Sequence, residues 1–209
     1  MLQVNNETLF KPNLIEAALD SDCAEYAEYA EYADRTEQYG SLTKWLHWVM
    51  AFIILYATVA GYGMLLVMDH PWLFNVLSNL NMSFATVGSV LFLIRWIWRY
   101  FRTEPDLKTT ISDKQKRCAK LAHAAMYFVM FIVFVSGFLM LKHGYQFFWL
   151  FEIPNPIDNV AVNEFFFVVH RASCMALATL VVVHILAALK HHFILKNNIL
   201  RSMTFRLNK

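Results

Sequence analysis

Residues 170–184 read HRASCMALATLVVVH, an apolar run with an imidazole at each end and a guanidinium beside the first. Imidazole is the commonest protein ligand for transition metals. Inside a hydrocarbon layer an ionisable side chain is costly, and by default it marks a functional position. Fourteen residues of helix advance about 21 Å and turn about 1400°, some 40° short of four whole turns. His170 and His184 therefore share one stripe, which passes through Cys174, Leu177 and Val181. One helix of this kind can offer a ligand to each of two metal centres stacked along its axis. His47, within WLHWVM, is a third imidazole in apolar company.

Other chemistries find little support. Cys23, Cys118 and Cys174 lie far apart and form no CxxC pair, so neither a disulfide framework nor a zinc cluster is expected. HExxH, GxSxG, GxGxxG and Walker patterns are absent. Zinc remains the weaker metal alternative. For any single membrane histidine, an interhelical hydrogen bond is the competing explanation.

The elements that must position these side chains are membrane helices. The chain has 209 residues, 58% hydrophobic, 16% aromatic and only 16% charged, against roughly 25% charged in an ordinary soluble domain. Four apolar stretches stand out, near 45–67, 82–100, 121–141 and 165–189. Each approaches or exceeds the ~20 residues that cross ~30 Å of hydrocarbon. The expected fold is an all-α four-helix transmembrane bundle.

Residues 1–40 are a different object, with nine acids and two bases, a balance of −7, while the remainder carries +9. They include the repeat AEYAEYAEYAD at 24–34 and read as an acidic, partly helical or disordered extension, or an interaction arm. No basic, apolar signal peptide precedes it. The membrane domain is expected over 41–206. Positive charge gathers between the second and third helices (Arg95, Arg99, Arg102, Lys108, Lys114, Lys116, Arg117, Lys120) and after the fourth. The positive-inside rule then puts both termini and this middle loop in the cytoplasm. The stretches 68–81 and 142–164 are expected to face out. Lipid is the expected surrounding, and no nucleic-acid partner is expected.

In this topology His47 lies near the start of the first helix and His184 near the end of the fourth, at similar depth on the inner side. Two imidazoles can then face each other across a flat ring. Iron porphyrin suits such a site, being large and apolar with two axial positions for neutral imidazoles. Small residues on the first helix (Ala51, Gly61, Gly63) leave room for a ring to approach. Arg95, Arg99 and Arg102 read either as an ordinary positive girdle or as partners of propionates or a quinone head. Arg171 is expected to pair with Glu164, Asp158 or a propionate, or to attract an anion.

The sequence resembles the bacterial cytochrome b561 family over about residues 41–206. The likeness rests on LHW at 46–48, AH at 122–123, SG at 136–137, VVH at 168–170, VHILAALKHHF at 183–193 and the arginine-rich end of the second helix. The resemblance implies a dihaem b electron-transfer protein of the inner membrane, working between an outer donor and a quinone, ubiquinone or menaquinone. One relative is described as oxidising superoxide. Others in the wider group are membrane subunits of hydrogenase and formate dehydrogenase. A quinone-linked oxidoreductase is thus one expectation. The alternatives are a one-haem degenerate relative and an anchor subunit that docks a partner dehydrogenase.

By the same resemblance His47 and His184 bind the inner haem and His170 one side of the outer haem. His191 is a candidate for quinone contact. The family's second ligand to the outer haem falls, in this sequence, at Asn81, fourteen residues before Arg95. Met126 stands where the family has a second histidine in helix three. The outer site then has three possible states. A substitute ligand (Met82 or His70) completes it, the haem is five-coordinate with an open face, or the haem is missing.

Overall fold

The computed structural model describes residues 38–102, 112–197 and 199–205. The greater part of the acidic extension, residues 1–37, lies outside the described residues. Four helices are long and apolar enough to cross a membrane. They are α1 (Ser41–Gly63, continued by a 3₁₀ turn, Met64–Leu66), α2 (Pro71–Phe101), α3 (Asp113–Leu139) and α4 (Val160–Leu189). A two-stranded hairpin, β1 (Tyr145–Phe147) and β2 (Phe151–Ile153), interrupts the α3–α4 connection. A π-helical turn (Lys190–Ile194) and a short helix, α5 (Ile199–Met203), follow α4.

Local chemistry explains the boundaries. Pro71 occupies the first turn of α2, where its missing N–H costs nothing. Ser112 and Gln115 cap α3 reciprocally, and Asp113 adds a negative charge at the positive helix end. Asn159 accepts from Val162 N–H to cap α4. Within the spans, Thr58, Thr86, Ser136 and Thr179 return their hydroxyls to carbonyls one turn earlier. No water is available there, so a polar side chain must find its partner inside the helix.

The second span is longer than its hydropathy suggests. The stretch 71–81, expected to belong to an outer loop, is helical, and the α1–α2 connection shrinks to a few residues. Asn75, Ser78, Asn79 and Asn81 lower the local hydropathy without breaking the helix. They are polar residues on an α-helix whose start is set by proline.

Helices α1 and α2 pack along each other as one hairpin and α3 and α4 as another, with sparser contact between the hairpins. Met50, Phe92, Met130 and Leu177, one from each helix, form the buried centre. Most other large apolar side chains along the spans are exposed, as expected where lipid replaces water.

At one end, the β-hairpin seats on α2. Phe148 N–H donates to the Ser83 hydroxyl at 2.9 Å, and the Thr86 and Tyr145 hydroxyls are hydrogen-bonded. Phe148 also meets the Phe84 ring at 5.2 Å. Phe148 and Trp149 both have positive φ, of 45° and 61°. Glycine or asparagine usually fills such turn positions. Docking of Phe148 on α2 offsets the strain. At the opposite end, Tyr39 N–H donates to Ser202 O, Lys44 to Thr204 O and Trp48 to Met203 O. The chain before α1 and the chain after α4 are therefore tied together at one face of the bundle.

Gly88 marks the tightest crossing. A Cβ there would lie 3.0 Å from Ile53 Cγ2 and 3.4 Å from the Phe134 ring, whereas one at Gly61 would meet nothing within 4 Å. Gly88→Val is expected to destabilise the detergent-solubilised protein by about 1–3 kcal/mol through overpacking. Gly61→Val should leave its thermal midpoint nearly unchanged. Unfolding followed by tryptophan fluorescence checks both.

Candidate functional site

One residue from each spanning helix converges at the end of the bundle where the chain segments before α1 and after α4 meet. His47 comes from α1, Arg95 from α2, His123 from α3 and His184 from α4. The His47 and His184 ring centroids are 6.4 Å apart, with planes inclined at 67°. His123 approaches His184 more closely, at 5.5 Å. The Arg95 Nη2 lies 3.1 Å from His47 Nδ1, and its Nε donates to the Tyr127 hydroxyl at 3.1 Å. The remaining Arg95 nitrogen, Nη1, is buried with no partner. The Arg99 guanidinium sits over the Tyr127 ring, 5.2 Å from its centre. Trp98 donates to Thr43, fixing α2 against α1. Together Thr43, Trp98, Tyr127, Arg95, Arg99 and Arg102 line a small, partly open cleft.

These distances discriminate between metal sites. Two imidazoles on opposite sides of one iron have centroids about 6.3 Å apart, since a metal–nitrogen bond is about 2.0 Å and a ring centre lies about 1.1 Å behind its nitrogen. The His47–His184 separation matches that span, and the His123–His184 separation falls short of it. Among the described residues, no cluster of three or more His, Cys, Asp or Glu side chains is placed to hold a bare ion. A structural zinc needs about four protein ligands. A porphyrin iron takes four nitrogens from its own ring and leaves two axial positions for protein. The donor set therefore fits haem rather than zinc.

His170 lies apart from this cluster, toward the β-hairpin end. Its Nδ1 is 3.1 Å from Val133 O and 3.2 Å from Ser136 Oγ, and its Nε2 is 3.4 Å from Cys174 Sγ. Arg171, next to it, is exposed and sits over Phe167 at 5.8 Å. Glu164, one expected partner of Arg171, instead meets Lys142 at 3.2 Å. A lysine across the α3–α4 connection reaches that carboxylate. His191 lies in the π-helical turn and receives a hydrogen bond from the Asn197 amide at 2.7 Å. Asn81 is partly buried on α2, and its Oδ1 has no partner. His70 is an exposed residue just before α2.

Three side chains of these sites carried no role in the sequence reading. His123 appears there only within a dipeptide, and it follows a basic stretch that reads as an interfacial helix end. Tyr127, one turn further along α3, and Ser136 have side chains common in any membrane helix. A single signal was available: His123 and Tyr127 are four residues apart, and so share a face.

A four-helix membrane bundle with two imidazoles spaced for axial ligation defines a class, the membrane-bound b-type cytochromes. Residues 38–206 match the family model of prokaryotic cytochrome b561, and the chain belongs to that family. It is similar to cytochrome b561 homolog 2 of Escherichia coli (strain K12), 27% identical over 172 residues that cover 80% of this chain and 91% of the relative. The family is one of membrane b-type haem electron-transfer proteins.

Arg95 is held from two sides and reaches a ring that matches axial spacing. Arg95→Ala is expected to lower the haem retained by the purified protein roughly 10-fold, the usual scale for losing a polar group from the surroundings of a metal site. Arg95→Lys should fail to restore it, because an ammonium cannot imitate the guanidinium fork. A pyridine haemochrome assay reads both.

Proposed function

We propose that the protein moves electrons between a donor at the outer membrane surface and a membrane quinone, with a haem b held by His47 and His184. The supporting observation is the 6.4 Å separation of two imidazoles from the first and last spans. When bound, the iron supplies the one-electron redox change. The protein's own residues do the rest. His47 from α1 and His184 from α4 would hold the group. If His47 held the group through Nε2, its hydrogen would sit on Nδ1, which could not accept from a guanidinium. Arg95 would keep Tyr127 and offer its free nitrogens to an acidic group such as a propionate. The apolar centre of Met50, Phe92, Met130 and Leu177 excludes water beside it.

His191 is the proposed quinone contact. The Asn197 amide donates to its Nδ1, so the hydrogen of the neutral ring sits on Nε2, available to a quinone carbonyl. π-helical turns occur frequently at functional sites. The basic residues at this end support a cytoplasmic placement of both termini. The outer donor, superoxide among the candidates, would meet the opposite end, near Arg171. The acidic extension is proposed as a contact arm for a redox partner.

His184→Ala membranes are expected to lose the 561-type reduced absorbance band, and purified wild-type protein without haem would overturn the reading. His191→Ala should retain that band while quinone reduction slows at least several-fold, measured with a soluble quinone analogue. Deleting residues 1–37 should leave quinone reduction by the isolated protein intact. Activity that then depends on a copurifying dehydrogenase would favour an anchor subunit instead.

A further inference from the structure

The imidazole of His170 is prepared as a ligand. Val133 O can only accept, so Nδ1 carries the ring hydrogen and Nε2 keeps its lone pair. The Ser136 hydroxyl directs its own hydrogen to Ile132 O at 2.6 Å and leaves its oxygen to accept from Nδ1 at 3.2 Å. This is the tautomer and anchoring that metal-bound imidazoles have. At Gly137 the α3 backbone comes up against the ring, where a Cβ would lie 3.1 Å from His170 Cε1. Nε2 faces only the Cys174 thiol, a weak donor that a stronger partner displaces.

Among the described residues, no imidazole makes a hydrogen bond or ring contact with His170, in contrast to His47, His123 and His184. Arg95 on α2 and His184 on α4 both meet His47 in the inner cluster. These two helices run in the same direction through the bundle. Fourteen residues back on each, a shift of about 21 Å that nearly repeats the same face, stand Asn81 and His170. Asn81 has a buried Oδ1 without a partner, and Asn79, in the same turn, has a buried Nδ2 without one. An unpaired buried amide is costly, and a membrane supplies no water to relieve it. A carboxamide is a poor ligand for iron. It is a good hydrogen-bonding group toward something bound to iron.

On the reading of the chain as a haem b protein, we propose that an outer haem is ligated by His170 alone. Its open face, on the Asn81 side, is then a binding site for a small neutral diatomic ligand. The inner haem, closed by His47 and His184, takes none.

Carbon monoxide is the probe, added to dithionite-reduced, purified full-length protein, with haem content measured in parallel. The expected result is roughly two haems per chain with about half the Soret absorbance shifting on carbon monoxide, because only a five-coordinate iron has a vacant position. His170→Ala should remove the responsive half and keep the rest. Asn81→His should keep haem content near two and abolish the response by supplying a second imidazole. One haem per chain without a carbon monoxide response overturns the proposal, as do two unresponsive haems, the latter meaning that another side chain closes the site. Both results leave the inner haem standing. Protein with no haem at all overturns the functional reading as well.

Discussion

The controlling constraint is that no water is available within the spans to satisfy a polar group. Every hydroxyl, amide and imidazole there must meet another group or stay unpaired at a cost. Most of the hydroxyls of this bundle comply by bonding to their own helix. Among the described residues a few buried polar atoms do not comply. Arg95 Nη1, in the cluster around His47, and Asn81 Oδ1, about four helical turns earlier on α2, are buried without partners. A porphyrin, the group that b-type cytochromes carry, has propionates and iron-bound ligands able to meet such atoms.

Packing follows from the same constraint. With lipid on the outside, burial of apolar area gives helices little reason to associate. Association depends on close fit, as at Gly88, and on polar ties at the two ends. At the end near α5, Tyr39, Lys44 and Trp48 hold the chain that follows α4. At the other, Asn163 is almost fully buried and donates to Leu139 O and Leu141 O, joining the start of α4 to the end of α3. Contacts between the two hairpins stay sparse along the spans themselves.

The two histidine positions differ in kind. His47 receives a guanidinium and belongs to a cluster to which all four helices contribute. His170 is anchored to a carbonyl and a serine on one neighbouring helix. The first environment is charged and open to the cleft of arginines, the second is neutral and closed by backbone. Charge and solvent exposure of this kind set the ease of reduction of a bound haem.

Much of this was legible in the chain itself. The number of spans, their rough limits, the shared stripe of His170 and His184, and the pairing of His47 with His184 by depth all follow from hydropathy and helical period. Both are one-dimensional properties. The family resemblance added the meaning of the motifs. Only the tertiary structure could decide that helix α2 reaches back to Pro71, since polar asparagines hide a helix from a hydropathy count. Only it could bring His123 and Tyr127 to the inner cluster, attach Arg95 to His47, and leave Asn81 unpaired. These depend on the rotation of each helix about its own axis. Rotation is set by how neighbouring helices pack, and no single segment contains that information.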